Sequence, residues 1–130
     1  MSDTTFAVRA RGITKCFGEV VALDEVDLDA VRGQIHGLVG PNGAGKTTLL
    51  GLLLGLSVAD GGQLDVSGTV AGFVDGPGLY PSLTARKNLT ALARLRGHGP
   101  DGIDEALHEV GLTDVADDRV RGFSLGMRQR

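Results

Sequence analysis

The chain has 130 residues, room for one domain with a real core but not for two. Its formal net charge of −3 excludes the basic footprint that nucleic acid or an anionic lipid surface requires. A single cysteine, Cys16, excludes an intramolecular disulfide and fits a reducing compartment.

In chain order, "FAVRARGI" (Phe6 to Ile13) alternates apolar and basic residues and predicts a half-buried strand. A turn at Gly18-Glu19 leads into "VVAL", and "EVDLDA" alternates again, so a small antiparallel sheet is expected. "QIHGLVG" (Gln34 to Gly40) is a mostly apolar run ending in glycine, as a buried strand would. "GKTTLLGLLLGL" carries apolar residues on every side and predicts a helix sunk in a core. Its run from Leu49 to Leu56 is too short to span a bilayer, and "MSDTTFAVRA" has no secretory character, which points to a soluble intracellular chain.

"SVADGGQLDVSG" reads as turn chemistry followed by a short strand, and "TVAGFV" as another apolar strand. Beyond Pro81 the pattern turns helical. Thr84 is the expected N-cap of a helix ending near Gly97. Asp101 is the expected cap of the next, with Ile103, Ala106, Leu107 and Val110 on one face and Gly111 at its C-cap. The expected organisation is a single domain over 1–130, β-rich in 1–80 and helical in 81–130, with "GHGP" (97–100) as an internal linker.

"GPNGAGKTT", from Gly40 to Thr48, satisfies G-x-x-x-x-G-K-[ST]. Gly40, Gly43 and Gly45 let the backbone curl around an anion with its N–H groups inward, while Pro41, Asn42 and Ala44 complete the loop. The helix that follows adds its N-terminal dipole. Lys46 supplies charge for the β- and γ-phosphates, and the Thr47 hydroxyl is placed to ligate Mg²⁺, with Thr48 beside it. A chance glycine-rich turn with an exposed lysine does not require the apolar strand before it and the apolar helix after it. The motif predicts a site for a nucleoside triphosphate with Mg²⁺.

With that loop placed, other segments resemble the nucleotide-binding subunits of ABC transporters, in the right order along the whole chain. "LVGPNGAGKTTLL" looks like that family's phosphate loop, and "ITKCFGEVVALDEVDL" like its opening segment, in which Phe17 stands where an aromatic stacks on adenine. The bland reading of Phe17 is a core residue after a strand. "VDGPGLYPSLTARKNL" resembles the loop joining the catalytic core to a helical subdomain. There the family's usual glutamine is replaced by Asp75, which either reaches the metal or is a solvated turn aspartate before Gly-Pro.

"FSLGMRQR" resembles the signature motif in the variant form of antibiotic-resistance and lantibiotic exporters, with Leu125 in place of glycine and Met127 in place of glutamine. In that family two domains close head-to-tail around two ATP molecules. The resemblance therefore implies that Ser124 and Gly126 meet a partner's γ-phosphate, with a helix starting near Met127. The alternative is that Ser124 merely caps a short helix.

The resemblance implies a P-loop NTPase fold of ABC type, α/β, with an antiparallel β subdomain, a partial α/β core and a helical subdomain, incomplete at the C-terminus. It implies an ATP-hydrolysing subunit that couples ATP to export of a drug, antibiotic or lipid-like substrate. The expected partners are a membrane-spanning permease, which would hold the chain at the inner face of the cell membrane, and a second, identical nucleotide-binding subunit; no nucleic acid is expected. The family's metal-holding Asp-Glu strand and switch histidine follow the signature, whereas His36, His98 and His108 all precede it. No catalytic residue is therefore assigned within these 130 residues, and on its own the chain is expected to bind ATP, aggregate readily and turn over negligibly. Two other readings remain: a non-transport ABC ATPase, which would carry insertions or basic surfaces, and a non-catalytic relic or binding module.

Overall fold

The alternating segment that starts at Phe6 forms strand β1 (Phe6–Phe17), which turns at Gly18-Glu19 into β2 (Val20–Val31). β1 passes the Ile13 limit set by its alternation, and the two short pieces expected for β2 form one strand. Bulges absorb the irregular stretches without ending the pairing. At one of them the Gly12 amide donates to the Asp27 carboxylate at 2.7 Å. The computed structural model describes residues 5–74 and 76–130, which fall in two units, Met1–Asp75 and Gly76–Arg130.

In the first unit β3 (Gly61–Val66) pairs antiparallel with the other edge of β1, so the sheet order is β2-β1-β3. Helix α1 (Lys46–Leu53) lies on this sheet. Ala10, Ile13 and Leu23 of the strands and Leu49 and Leu52 of the helix make the buried cluster. The fully immersed helix expected from its composition is not what forms: Leu50 and Leu56 are exposed. A single sheet offers one surface, and only residues spaced three apart on the helix can reach it.

The strands expected at Gln34 to Gly40 and across "TVAGFV" are likewise absent among the described residues. Ile35, Val39 and Phe73 point their apolar side chains to solvent. A buried strand needs neighbours for both its ladder and its faces, and neither segment joins the sheet of β2, β1 and β3. The Val31 backbone, at the end of β2, is met by the His36 imidazole instead, with Nε2 3.2 Å from the Val31 nitrogen.

In the second unit α2 (Ala85–Leu95) begins as expected, with the Thr84 hydroxyl accepting from the Lys87 amide at 3.1 Å. The Ala85 and Arg86 amides donate to the Asp118 and Ala116 carbonyls at 3.3 and 2.9 Å. The first amides of the helix, orphaned by geometry, are thus all partnered. Helix α3 (Ile103–Glu109) is preceded by Gly102, without a side-chain cap. Asp101 lies one residue too early to serve, and Asp104 and Glu105 complement the helix start from within its first turn. Ile103, Leu107 and Val110 pack inward, but Ala106 is exposed. Short 3-10 turns at Thr113–Val115 and Val120–Gly122 carry Ala116, Val120 and Phe123 to the same cluster. Arg86 ties the surface together by bonding Asp104 and Asp117, which raise its already high pKa.

Asn88 is the one polar side chain buried among the described residues, at 3% exposure. Its Oδ1 accepts from the Tyr80 amide at 2.8 Å, and its Nδ2 donates to the Tyr80 and Thr84 carbonyls at 3.1 and 3.0 Å. It thereby clamps the segment leading into α2. Asn88→Leu takes the partner from the Tyr80 amide, while the Tyr80 and Thr84 carbonyls keep the Leu83 and Asn88 amides, and should cost about 1–2 kcal/mol. Urea unfolding followed by fluorescence of Tyr80, the single tyrosine in a chain without tryptophan, measures this directly.

Candidate functional site

The glycine-rich motif closes on itself through its own backbone. The Pro41 carbonyl accepts from the Ala44 amide at 3.2 Å, turning the chain through Asn42 and Gly43. Gly45 follows at φ 91 and leads into α1. A Cβ at this position would sit 2.4 Å from the Ala22 carbonyl oxygen and 2.8 Å from Leu23 Cδ2. Ala22 is the extra residue of a bulge in β2, lying between Val21 and Leu23 where β1 advances only from Cys16 to Lys15. The bulge sets that carbonyl against the loop, so glycine is required by conformation and by contact.

Lys46 opens α1, and its ammonium bonds the Gly40 carbonyl and, at 3.2 Å, that of Pro41. The first bond of the helix joins the Leu49 amide to the Gly45 carbonyl at 2.9 Å. The amides of Lys46, Thr47 and Thr48 precede it and have no acceptor within the helix. Together with Asn42, Gly43, Gly45 and the hairpin residues Val20, Val21 and Ala22, they line a cavity of about 450 Å³. Amides at a helix start, one ammonium and the exposed Thr47 hydroxyl line it together, an arrangement chemically suited to an anion. The Thr47 hydroxyl is a hard oxygen donor, the ligand type that Mg²⁺ prefers.

Phe17, weighed in the sequence as core residue or base platform, is 55% exposed and lies outside the buried cluster. It stands directly across the hairpin from Val20, which lines the cavity. Phe17, Val20 and Val21 form an exposed apolar tip beside the phosphate loop. Two neighbours of Phe17 went unread in the sequence. Lys15 Nζ lies 5.4 Å from the ring centroid, and Asp60 lies 3.5 Å from that ammonium. Lys15 was detectable, since alternate residues of a strand share a face. Asp60 arrives from the far side of α1 and left no local signal. The Cys16 amide, then the Lys15 ammonium, hold the Asp60 carboxyl below the usual carboxylate range. The carboxylate is therefore ionised throughout the neutral range, and its contribution is lost only as pH falls through that lowered value.

Ser124 and Gly126 belong to the second unit. Ser124 caps α4 (Leu125–Gln129), its hydroxyl accepting from the Met127 amide at 3.2 Å. The helix thus starts two residues before the expected Met127, and Gly126 sits inside its first turn. A Cβ on Gly126 would meet nothing within 4 Å, so this chain's own packing does not demand glycine there. Met127 packs on the helical unit's core, whereas Leu125 is exposed. Asp75 lies outside the described residues. Among the described residues no cluster of three or more His, Cys, Asp or Glu is placed to hold a metal ion. No helix among them is long and apolar enough to cross a membrane.

Comparison with known proteins adds four findings. Residues 23–130 match the family described as ABC transporter. The chain is 37% identical to the bacitracin transport ATP-binding protein BcrA of Bacillus licheniformis, over 95% of its own length and 44% of that protein's. It is 42% identical to the aliphatic sulfonates import ATP-binding protein SsuB 1 of Nocardia farcinica, over its full length and 53% of that protein's. Its backbone superposes on MJ1267, an ATP-binding cassette of an ABC transporter, with a TM-score of 0.80 at 23% identity, covering 95% of this chain and 61% of that one. The chain spans about half the length of these curated relatives.

Proposed function

Because this chain belongs to the ABC transporter family, we propose that its cavity between the hairpin tip and α1 binds ATP with Mg²⁺, as the ATP-binding part of a transport protein. The observation that carries this reading is the joining of two unlike surfaces. A cationic, amide-rich loop suits a triphosphate, and the apolar tip of Phe17, Val20 and Val21 beside it suits a base. Lys46 meets the β- and γ-phosphates, and the loop carbonyls it now bonds mark how closely its ammonium already approaches the site. Thr47 holds Mg²⁺, which when bound neutralises charge on those phosphates. Gly40, Pro41, Asn42, Gly43, Ala44, Gly45 and Thr48 shape and line the cradle, and Asp75 is assigned to the metal's surroundings through the resemblance alone.

Ser124 and Gly126 are assigned to the phosphate held by a second nucleotide-binding subunit. Capping and phosphate contact are compatible. A hydroxyl that accepts from Met127 retains its own O–H to donate to a phosphate oxygen. The open space at Gly126 and the exposed Leu125 support an approaching surface at this point. Hydrolysis, a permease partner, a location at the inner membrane face and the antibiotic or lipid-like cargo are assigned to the whole protein. The bacitracin transport relative supports that cargo class. The sulfonate import relative supports a second reading, in which the same subunit drives uptake. Expression of the whole protein with its permease separates these: resistance to a peptide antibiotic favours export, and growth on an aliphatic sulfonate favours import.

The dimer assignment has its own test. Ser124→Asp preserves the cap, because aspartate is as good an N-cap as serine. It sets a carboxylate against the phosphate. Its melting temperature should match the parent, whereas MgATP-driven association, read by analytical ultracentrifugation, should fall at least about tenfold. Unchanged association would remove Ser124 from the interface.

A further inference from the structure

Phe17 has two ring faces, and one of them is already occupied. Lys15 Nζ stands 5.4 Å from the ring centroid, within reach of the attraction between a cation and an aromatic quadrupole. The Lys15 side chain is only 15% exposed, far less than an ordinary surface lysine, so its position is held. Asp60 holds it. One carboxylate oxygen lies 3.5 Å from the ammonium, while the other accepts from the Cys16 amide at 2.7 Å. The Asp60 amide in turn donates to the Thr14 carbonyl at 2.8 Å, which fixes the start of β3 against β1. A chain of contacts thus runs from the sheet backbone through Asp60 and Lys15 to one face of Phe17.

We propose that Lys15 and Asp60 are positioning residues for the nucleotide base: Asp60 anchors Lys15, Lys15 covers one face of Phe17, and the ring presents its opposite face to a purine. Two consequences follow from the chemistry. The ring is restrained before the base arrives, which lowers the ordering cost of stacking. The ammonium also draws π-electron density toward its own side, making the free face a better partner for an electron-rich purine.

This inference rests on the reading of Phe17 as the base platform, and binding measurements on the full chain separate the two. Titration calorimetry with MgATP is compared with magnesium tripolyphosphate, which has the phosphates but no base. Phe17→Ala should weaken MgATP about tenfold. Lys15→Met and Asp60→Asn should each weaken it about three- to fivefold, and Lys15→Arg should restore it. Tripolyphosphate should bind all of them alike, which also shows that the variants are folded. In a Phe17→Ala background, Lys15→Met should cost nothing more. If Phe17→Ala leaves MgATP binding unchanged, the platform reading itself fails. If Phe17→Ala has its effect but Lys15→Met or Asp60→Asn is silent, or acts equally without Phe17 or on tripolyphosphate, the positioning role alone is overturned.

Discussion

Lys46→Met is expected to weaken MgATP binding by about two orders of magnitude while leaving the fold intact. Among the described residues the ammonium is the single cation lining the cavity between the hairpin tip and α1, and a charge-assisted bond to phosphate contributes about 1.5–3 kcal/mol. Methionine keeps the length and the apolar stem, so packing against the loop survives. The ammonium bonds the Gly40 and Pro41 carbonyls, which are exposed and can turn to water when it is removed. The loss should therefore appear in affinity, with thermal stability shifted by little. Calorimetry with MgATP and with magnesium tripolyphosphate should report the same deficit, because the lysine addresses phosphate and not base. A Lys46→Met chain that bound MgATP as the parent does would remove the cavity from consideration as the nucleotide site.

Gly45→Ala is expected to cost the first unit about 3–5 kcal/mol, a large part of what holds a small unit folded. Two penalties combine. At φ 91 an alanine sits outside its allowed regions, at about 1–2 kcal/mol. Its Cβ would also meet the Ala22 carbonyl oxygen at 2.4 Å, and that carbonyl belongs to a strand bulge and not to a side chain that can swing away. Relieving the overlap means moving β2 or α1, and Leu23 and Leu49 of the buried cluster lie on those two elements. Gly43→Ala provides the control. It has φ 85 but nothing within 4 Å of its Cβ, so it should show the backbone penalty alone. Urea midpoints of the two variants should differ by the steric share. Equal midpoints would mean that the bulge and the loop do not press on each other in solution.

These predictions fall on both sides of a boundary in what can be read from the chain. Thr84 as a helix cap and the glycine turn that leads into a helix at Lys46 were legible because each is a local device. A hydroxyl reaches the amide three residues on, and glycines, lysine and threonine act within one turn of backbone. Asp101 was misread at the same scale, since capping depends on a one-residue register that composition does not specify. The exposed apolar segment through Ile35 and Val39 was misread for a different reason. Hydrophobicity states a tendency to be covered and says nothing about what covers it.

The sequence by itself determined the local devices: a glycine-rich turn that hands a lysine and a threonine to a helix start, preceded by a hairpin and followed by a helical unit with a serine-capped end. Tertiary structure decided the rest. It placed the Ala22 bulge against Gly45, turned Phe17 out of the core, and brought Asp60 to Lys15 from 45 residues away. It also buried Asn88 among the backbone groups of the segment before α2. The physical reason is one of range. Turn, cap and phosphate-loop geometry are dictated by bonds between near neighbours in the chain. Which face is buried, and which distant side chain supports a given residue, depends on surfaces that exist only once the chain has folded.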